Sequence, residues 1–390
     1  MKSKLLNFIT VIAISFFIFP IIGQSTANAA GITWAGEGFP NARTPFSIEY
    51  ANNLFVAAPW DKSATYVLTS TDGLSWSERT IPISGGWEAI AYGNGKYVVV
   101  GDVGSPASSK YLYSSDGITW SASNTVLGGA ARDVTFGNNI FVAVIGGGCS
   151  NMCVNTSSDG ITWTQRSTPI TENFRSVVYA NNRFYVVSVS GNTITSTDGT
   201  TWTQGVSTPT STEEISYGAS RYVYVNNGSI YSSANFSTWS LGSGFPASKN
   251  WQHIIYADSK FVAIAYDGTI VYSTDGIVWS TSVSGLSQGG FIAFGNNIFV
   301  ALSWGNRYAY STNTTPTAAA AEQAAAAAKA QQDHDTALAL GTLALAIGSV
   351  ESGLSTLTLA ATRGTHPQAT SVNGKSKKVK KIKKKANTKK

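Results

Sequence analysis

Short apolar runs alternate with polar, glycine-rich turns through most of this chain, and the alternation repeats. Phe136-Gly137-Asn138-Asn139 leads into Ile140-Phe141-Val142-Ala143, and Phe294-Gly295-Asn296-Asn297 leads into Ile298-Phe299-Val300-Ala301. Turns of the same kind follow Tyr50, Tyr92, Tyr179, Tyr217 and Tyr256, so the element occurs seven times. Downstream of it comes Ser-x-Asp-Gly-x-x-Trp, at Ser70 to Trp76, Ser114 to Trp120, Ser157 to Trp163, Ser196 to Trp202 and Ser273 to Trp279. A degenerate copy, Ser233 to Trp239, has Asn235 and Phe236 in place of Asp and Gly. Apolar runs bounded by turn residues predict strands. Each repeat holds four: one ending at the aromatic, one after the Asn turn, one leading into Ser-x-Asp and one starting at the Trp. Four strands in roughly forty residues make a propeller blade. The Asp-Gly and Asn turns are both expected to be two-residue type I′ hairpins, which need positive φ at both central positions.

The ends of the array carry two half-motifs. Gly31-Ile32-Thr33-Trp34 is a second half with no strand before it, and Tyr310-Ser311-Thr312-Asn313 is a first half with no Trp after it. Joined, they complete one copy, so the amino-terminal strand is expected to close the last blade and remove an open sheet edge. The Asp or Asn positions (Asp72, Asp116, Asp159, Asp198, Asn235, Asp275, Asn313) and the Trp positions (Trp34, Trp76, Trp120, Trp163, Trp202, Trp239, Trp279) both number seven. The predicted fold is all-β, a seven-bladed propeller over residues 30–316. These repeated residues are expected to be scaffold, with the Asp accepting backbone hydrogen bonds and the Trp filling space between sheets. One carboxylate per blade is a poor calcium site, and no metal or cofactor is expected.

The motif resembles the Asp-box (BNR) repeat of sialidase-like and photosystem-assembly-factor-like propellers, over Gly31 to about Asn313. That family has a residue between the Asp and the Gly, which every copy here lacks. The resemblance implies a structural turn at the periphery, away from the ligand face, and it implies no catalysis.

Positions that differ between repeats are the better candidates for chemistry. Four residues before each strand aromatic stand Phe46, Glu88, Arg132, Arg175, Glu213, Gln252 and Gly290, expected at the start of the innermost strand by the central channel. Asp133, Glu214 and His253 follow by one position, and Trp87, Phe174 and Trp251 precede by one. Trp60, Asp61, Trp304 and Arg307 lie in loops expected on the same face. Mixed charges beside flat aromatics suit a glycan or a protein ligand at the channel mouth. The competing reading is a set of solvated charges and blade-packing aromatics. A sialidase-like glycoside hydrolase needs converging arginines and an acid pair. Arg132 and Arg175 fall on adjacent blades, but the arginine-Ile-Pro signature is absent, Arg79-Thr80-Ile81-Pro82 being displaced by one residue. A noncatalytic recognition or scaffold domain is the better expectation.

The flanks set location. Lys2 and Lys4, an apolar run to Ile22 and Ala27-Asn28-Ala29 read as an export signal over residues 1–29, with an uncleaved anchor as the alternative. An extracellular or cell-surface location follows. Cys149 and Cys153, the two cysteines of the chain, then favour a local disulfide. Residues 317–361 are rich in Ala and Leu and predict helix. Leu340, Leu343, Ile347, Val350, Leu354 and Leu357 form a heptad seam for self-association into a homo-oligomer, with a membrane span over 336–361 as competitor. Ten lysines between Lys375 and Lys390 account for more than the whole net charge of +6, and residues 31–316 carry 13 Lys and Arg against 17 Asp and Glu. That acidic balance does not fit a nucleic-acid-binding propeller. The tail, residues 362–390, is expected to be disordered and to bind the polyanionic cell envelope.

Overall fold

A computed structural model describes residues 32–102, 108–123, 127–147 and 149–312. The export signal, Asn313, the helical segment and the lysine tail lie outside the described residues.

Among the described residues the chain forms seven four-stranded antiparallel sheets and one short two-stranded sheet. Blade 1 is Pro45–Ala51, Leu54–Pro59, Tyr66–Ser70 and Ser77–Thr80, each strand pairing with the next. The innermost strands of the next five blades are Gly86–Gly93, Ala130–Gly137, Phe174–Ala180, Glu214–Gly218 and Trp251–Ala257. Blade 7 takes Ile292–Gly295, Ile298–Leu302 and Arg307–Ser311 from the end of the array and Trp34–Gly38 from its start. The last pair runs from Trp34 opposite Ser311 to Gly38 opposite Arg307. Thr33 and Thr312 extend it through their side chains at 2.7 Å and a backbone bond at 2.9 Å. The two half-motifs therefore do meet in one blade and close the ring.

The two turns of the repeat differ in a way that corrects one expectation. The inner turns are two-residue hairpins with both φ positive, as at Asn138 and Asn139 (46° and 60°) between paired Gly137 and Ile140. Even Ala219 and Ser220 hold this conformation, at 45° and 57°, so the ring enforces it where the sequence does not favour it. The Asp-Gly turns are not such hairpins. In blade 1 the strands part after Ser70 and rejoin at Ser77, and only Gly73 of the Asp-Gly pair has positive φ. The reason is the Ser and Asp side chains. Asp72 Oδ1 accepts from the Ser70 hydroxyl and from the N–H groups of Leu74 and Ser75, while the Ser70 oxygen accepts from Gly73 N–H. The carboxylate thus takes the place of a ladder partner and holds a wider loop. The same set recurs around Asp116, Asp159, Asp198 and Asp275, and Asn235 reproduces it with its amide oxygen.

Neighbouring blades interlock through the strand aromatic and the small residue after it. A Cβ on Gly137 would lie 2.1 Å from the Tyr179 ring of the next blade, and one on Gly218 would lie 1.9 Å from Tyr256. Only glycine lets the ring sit on the backbone there. Asn94 and Asn138 also donate from their turns to the Ser158 and Thr197 carbonyls of the following blade. The repeat tryptophans Trp76, Trp120, Trp163, Trp202 and Trp279 are buried between sheets. Cys149 and Cys153 form a disulfide across a four-residue separation in the loop of blade 3 that precedes Val154–Ser157.

Candidate functional site

The innermost strand of each blade carries one extra residue at its start. Register slips between Pro45 and Ser47, Trp87 and Ala89, Ala131 and Asp133, Phe174 and Ser176, and Trp251 and His253. In blade 5 both Glu213 and Glu214 face Val225, and in blade 7 both Gly290 and Phe291 bond Leu302. Two residues against one is a β-bulge, which re-aims a side chain and often sits beside a binding site. The bulged positions are Phe46, Glu88, Arg132, Arg175, Glu213, Gln252 and Gly290, the variable set of the sequence. They surround one end of the channel.

Across blades 2 to 5 this mouth is ionic. Glu88 is 4% exposed, and one of its oxygens accepts from Arg132 Nη1 at 2.5 Å and from Trp60 Nε1 at 3.0 Å. Arg175 Nε donates to Glu213 at 3.0 Å. Each arginine thus has a glutamate on the adjacent blade. Across blades 6, 7 and 1 the mouth is aromatic. Phe46 lies 4.6 Å from Phe291, 4.7 Å from Trp304 and 6.4 Å from Trp60, between ring centres. Tyr266 flanks Trp304 at 5.8 Å. Trp60 is 49% exposed and Tyr266 43%, an unusual amount of ring surface to leave in water. Gln252 bonds Asn250 beside them. Trp87 and Trp251 do not belong to this surface: both are fully buried in blade cores, because the bulge turns the next residue, and not them, to the mouth. Asp61 caps Ser63 in its own loop.

Behind the mouth a cavity of about 380 Å³ runs into the channel. Residues two apart on each innermost strand line it, as strand alternation requires. They include Ser47 and Glu49, Asp133 and Thr135, Glu214 and Ser216, and His253. Asp133 Oδ2 accepts from Val177 N–H at 2.7 Å and meets the Ser176 hydroxyl at 3.0 Å, and Glu214 Oε1 meets the same hydroxyl at 2.8 Å. Ser176 has one proton for two carboxyl groups, so one of the two must bring its own. Burial, and then the Asp133 charge, raise Glu214 well above the usual carboxylate range. Burial pushes Glu49 up to about 8. Burial also pushes His253 down to about 3, and its Nδ1 accepts Ile292 N–H at 3.3 Å, which leaves the proton on Nε2. Ser47 and Glu49 were not singled out in the sequence. The available signal was Glu49 itself, the single acid in a row otherwise made of Ala91, Thr135, Val178, Ser216, Ile255 and Ala293.

Residues 127–212, which span blades 3 and 4, match the model of a family described as the DUF6242 beta propeller domain. No curated protein matches the chain. Among solved structures, YCF48 bound to a D1 peptide is 17% identical with a TM-score of 0.57, over 73% of this chain and 98% of that one. YCF48 from Cyanidioschyzon merolae is also 17% identical, with a TM-score of 0.55 over 72% and 98%. Virginiamycin B lyase from Staphylococcus aureus is 10% identical with a TM-score of 0.62, over 72% and 99%. At such identities the likeness is one of fold. The chain is a seven-bladed β-propeller, similar over two blades to the DUF6242 propeller domain.

Proposed function

We propose that this propeller is a noncatalytic recognition domain that takes a glycan or protein ligand at the channel mouth. The observation that carries the reading is the half-ring of aromatics, Trp60 and Tyr266 half-exposed with the partly buried Trp304 between them, set against the two fixed ion pairs of the bulge ring. Flat rings supply contact area at small entropic cost, and fixed charges supply orientation. A fold neighbour, YCF48, is seen with a D1 peptide, which makes peptides reasonable first probes beside glycans. Peptide and glycan arrays probed with the full-length protein and with Trp60→Ala test the reading: hits should be lost in the variant while it still unfolds cooperatively. Hits that survive the loss of Trp60 and of Trp304 would remove the mouth from consideration.

Export, attachment to envelope polyanions through the lysine tail and self-association through the 317–361 segment are part of the same proposal and rest on sequence alone. Release of the protein from cells by salt or by deletion of Lys375 to Lys390, and a single oligomeric state lost with residues 317–361, are the corresponding measurements. A glycoside hydrolase is the second reading, favoured by the convergent Asp133 and Glu214 carboxyl groups. Against it, Arg132 and Arg175 are each held by a glutamate, and neither is free to take a sugar carboxylate. Turnover of a fluorogenic sialoside that disappears in Asp133→Asn would reverse the order of the two readings.

A further inference from the structure

The acids of the channel behind the mouth lack the cationic partners that those at the mouth have. At the mouth each arginine has its glutamate. Deeper, Glu49, Asp133 and Glu214 face the cavity from blades 1, 3 and 5. Among the lining residues the basic groups are Arg132, Arg175 and His253. The first two are paired with Glu88 and Glu213, and His253 is held neutral. The three acids therefore have no cation of their own in contact, and Arg175 reaches Asp133 and Glu214 only through longer-range attraction.

A second observation is independent of charge. Ser47 is 2% exposed, lines the same cavity and leaves its hydroxyl without a hydrogen-bond partner. It stands two residues before Glu49 on one strand, so both point to the channel. Buried hydroxyls are normally satisfied, and one that is not calls for a missing partner. Apolar residues, among them Val134, Val177, Ile254 and Ile292, also line the cavity, a surface suited to an alkyl chain. A metal ion does not fit: among the described residues no three ligating groups stand close enough to hold one.

We infer that the channel binds an organic cation, a primary ammonium or guanidinium group on a flexible alkyl chain, whose N–H groups are accepted by Glu49 and the Ser47 oxygen, with Asp133 and Glu214 adding attraction from blades 3 and 5. The cation is either a basic side chain of a peptide held at the mouth, in which case the inference rests on the recognition reading, or a free polyamine. Entry of positive charge favours the ionised forms of Glu49 and Glu214, so binding releases protons. With Glu49 at about 8 in the empty channel, affinity rises as the pH rises toward that value. The limit is about tenfold per pH unit for each proton released.

Calorimetry of the full-length protein with agmatine and with spermidine, in two buffers of different ionisation enthalpy, reads both affinity and proton release. Saturable binding that strengthens from pH 6 to pH 8, weakens roughly tenfold or more in Glu49→Gln and weakens less in Ser47→Ala is the expected result. Melting temperature should not fall in either variant, since neither side chain has a partner to lose. Absence of saturable binding by both amines at millimolar concentration, or binding indifferent to Glu49→Gln, would overturn the inference. The source is separated by a second arm. A peptide selected by the mouth should lose affinity when its Arg is replaced by citrulline if the side chain enters the channel. If citrulline changes nothing while Trp60→Ala still abolishes binding, the channel inference fails and the mouth reading stands. If Glu49→Gln matters and Trp60→Ala does not, the mouth reading fails instead.

Discussion

The outer turns and the inner ring are built from the same repeat and behave as opposites. At the outer turns, Asp116, Asp159, Asp198 and Asp275 each accept two backbone N–H groups and a serine hydroxyl. Burial opposes ionisation at Asp116, Asp159 and Asp275, yet the accepted N–H groups outweigh it and hold all three below the usual carboxylate range. At Asp198 the N–H of Thr201 is the leading cause of the same shift. At the inner ring the carboxyl groups of Glu49 and Glu214 are driven up by burial. A carboxylate surrounded by donors stabilises the fold, whereas one facing a cavity with at most a shared hydroxyl and no cation is poised for something else to arrive.

Five experiments can break this contrast. The largest effect is expected from deleting Trp34–Gly38, which strips Arg307–Ser311 of its outer partner along its whole length and leaves it an open edge paired only with Ile298–Leu302. Cooperative unfolding should be lost or the melting temperature should drop by on the order of 10 °C or more. Next comes a mouth residue that should act like a structural one. Arg132→Ala leaves the buried Glu88 carboxylate without its cation, so destabilisation of about 3 kcal/mol is expected in chemical denaturation. A neutral result would mean that the mouth tolerates an unpaired charge.

Third, Asp116→Ala removes the acceptor for two backbone N–H groups and should cost ~1 kcal/mol. Asp116→Asn should be close to neutral, because Asn235 already serves in blade 5. Fourth, Trp60→Ala takes one donor from the buried Glu88 carboxylate, which keeps Arg132, and should cost about 1 kcal/mol, while ligand binding weakens by roughly tenfold or more. The smallest effect is in pH dependence. The lowered Asp pKa values stabilise the fold above the ordinary carboxylate range, and this stability is lost as the pH falls through the folded values. Glu49 works in the other direction. Its folded value of about 8 exceeds its unfolded one, so the contribution is full in acid and is lost as the pH rises toward 8. Melting temperature should therefore peak in mildly acidic buffer, and Glu49→Gln should flatten the neutral limb.

The repeat alone carried the blade count, the four strands per blade and the closure, because all three follow from local turns and periodic apolar runs. It also exposed the bulge ring, since variation at one position among seven copies stands out against sameness. Trp87 and Trp251 show where that reading stopped. Adjacent residues in a strand normally alternate faces, but a bulge breaks the alternation, and which neighbour is turned inward depends on the pairing. The Asp-Gly turns failed for a related reason: the dipeptide fits a tight hairpin, and only the placed Ser and Asp side chains reveal a wider loop. Sequence thus determined the elements and their number, which depend on interactions within a few residues. Tertiary structure alone decided the division of the mouth into ionic and aromatic halves, the Asp133–Ser176–Glu214 contact across three blades and the unpartnered Ser47. These depend on which side chains meet across the ring, and no local pattern encodes that meeting.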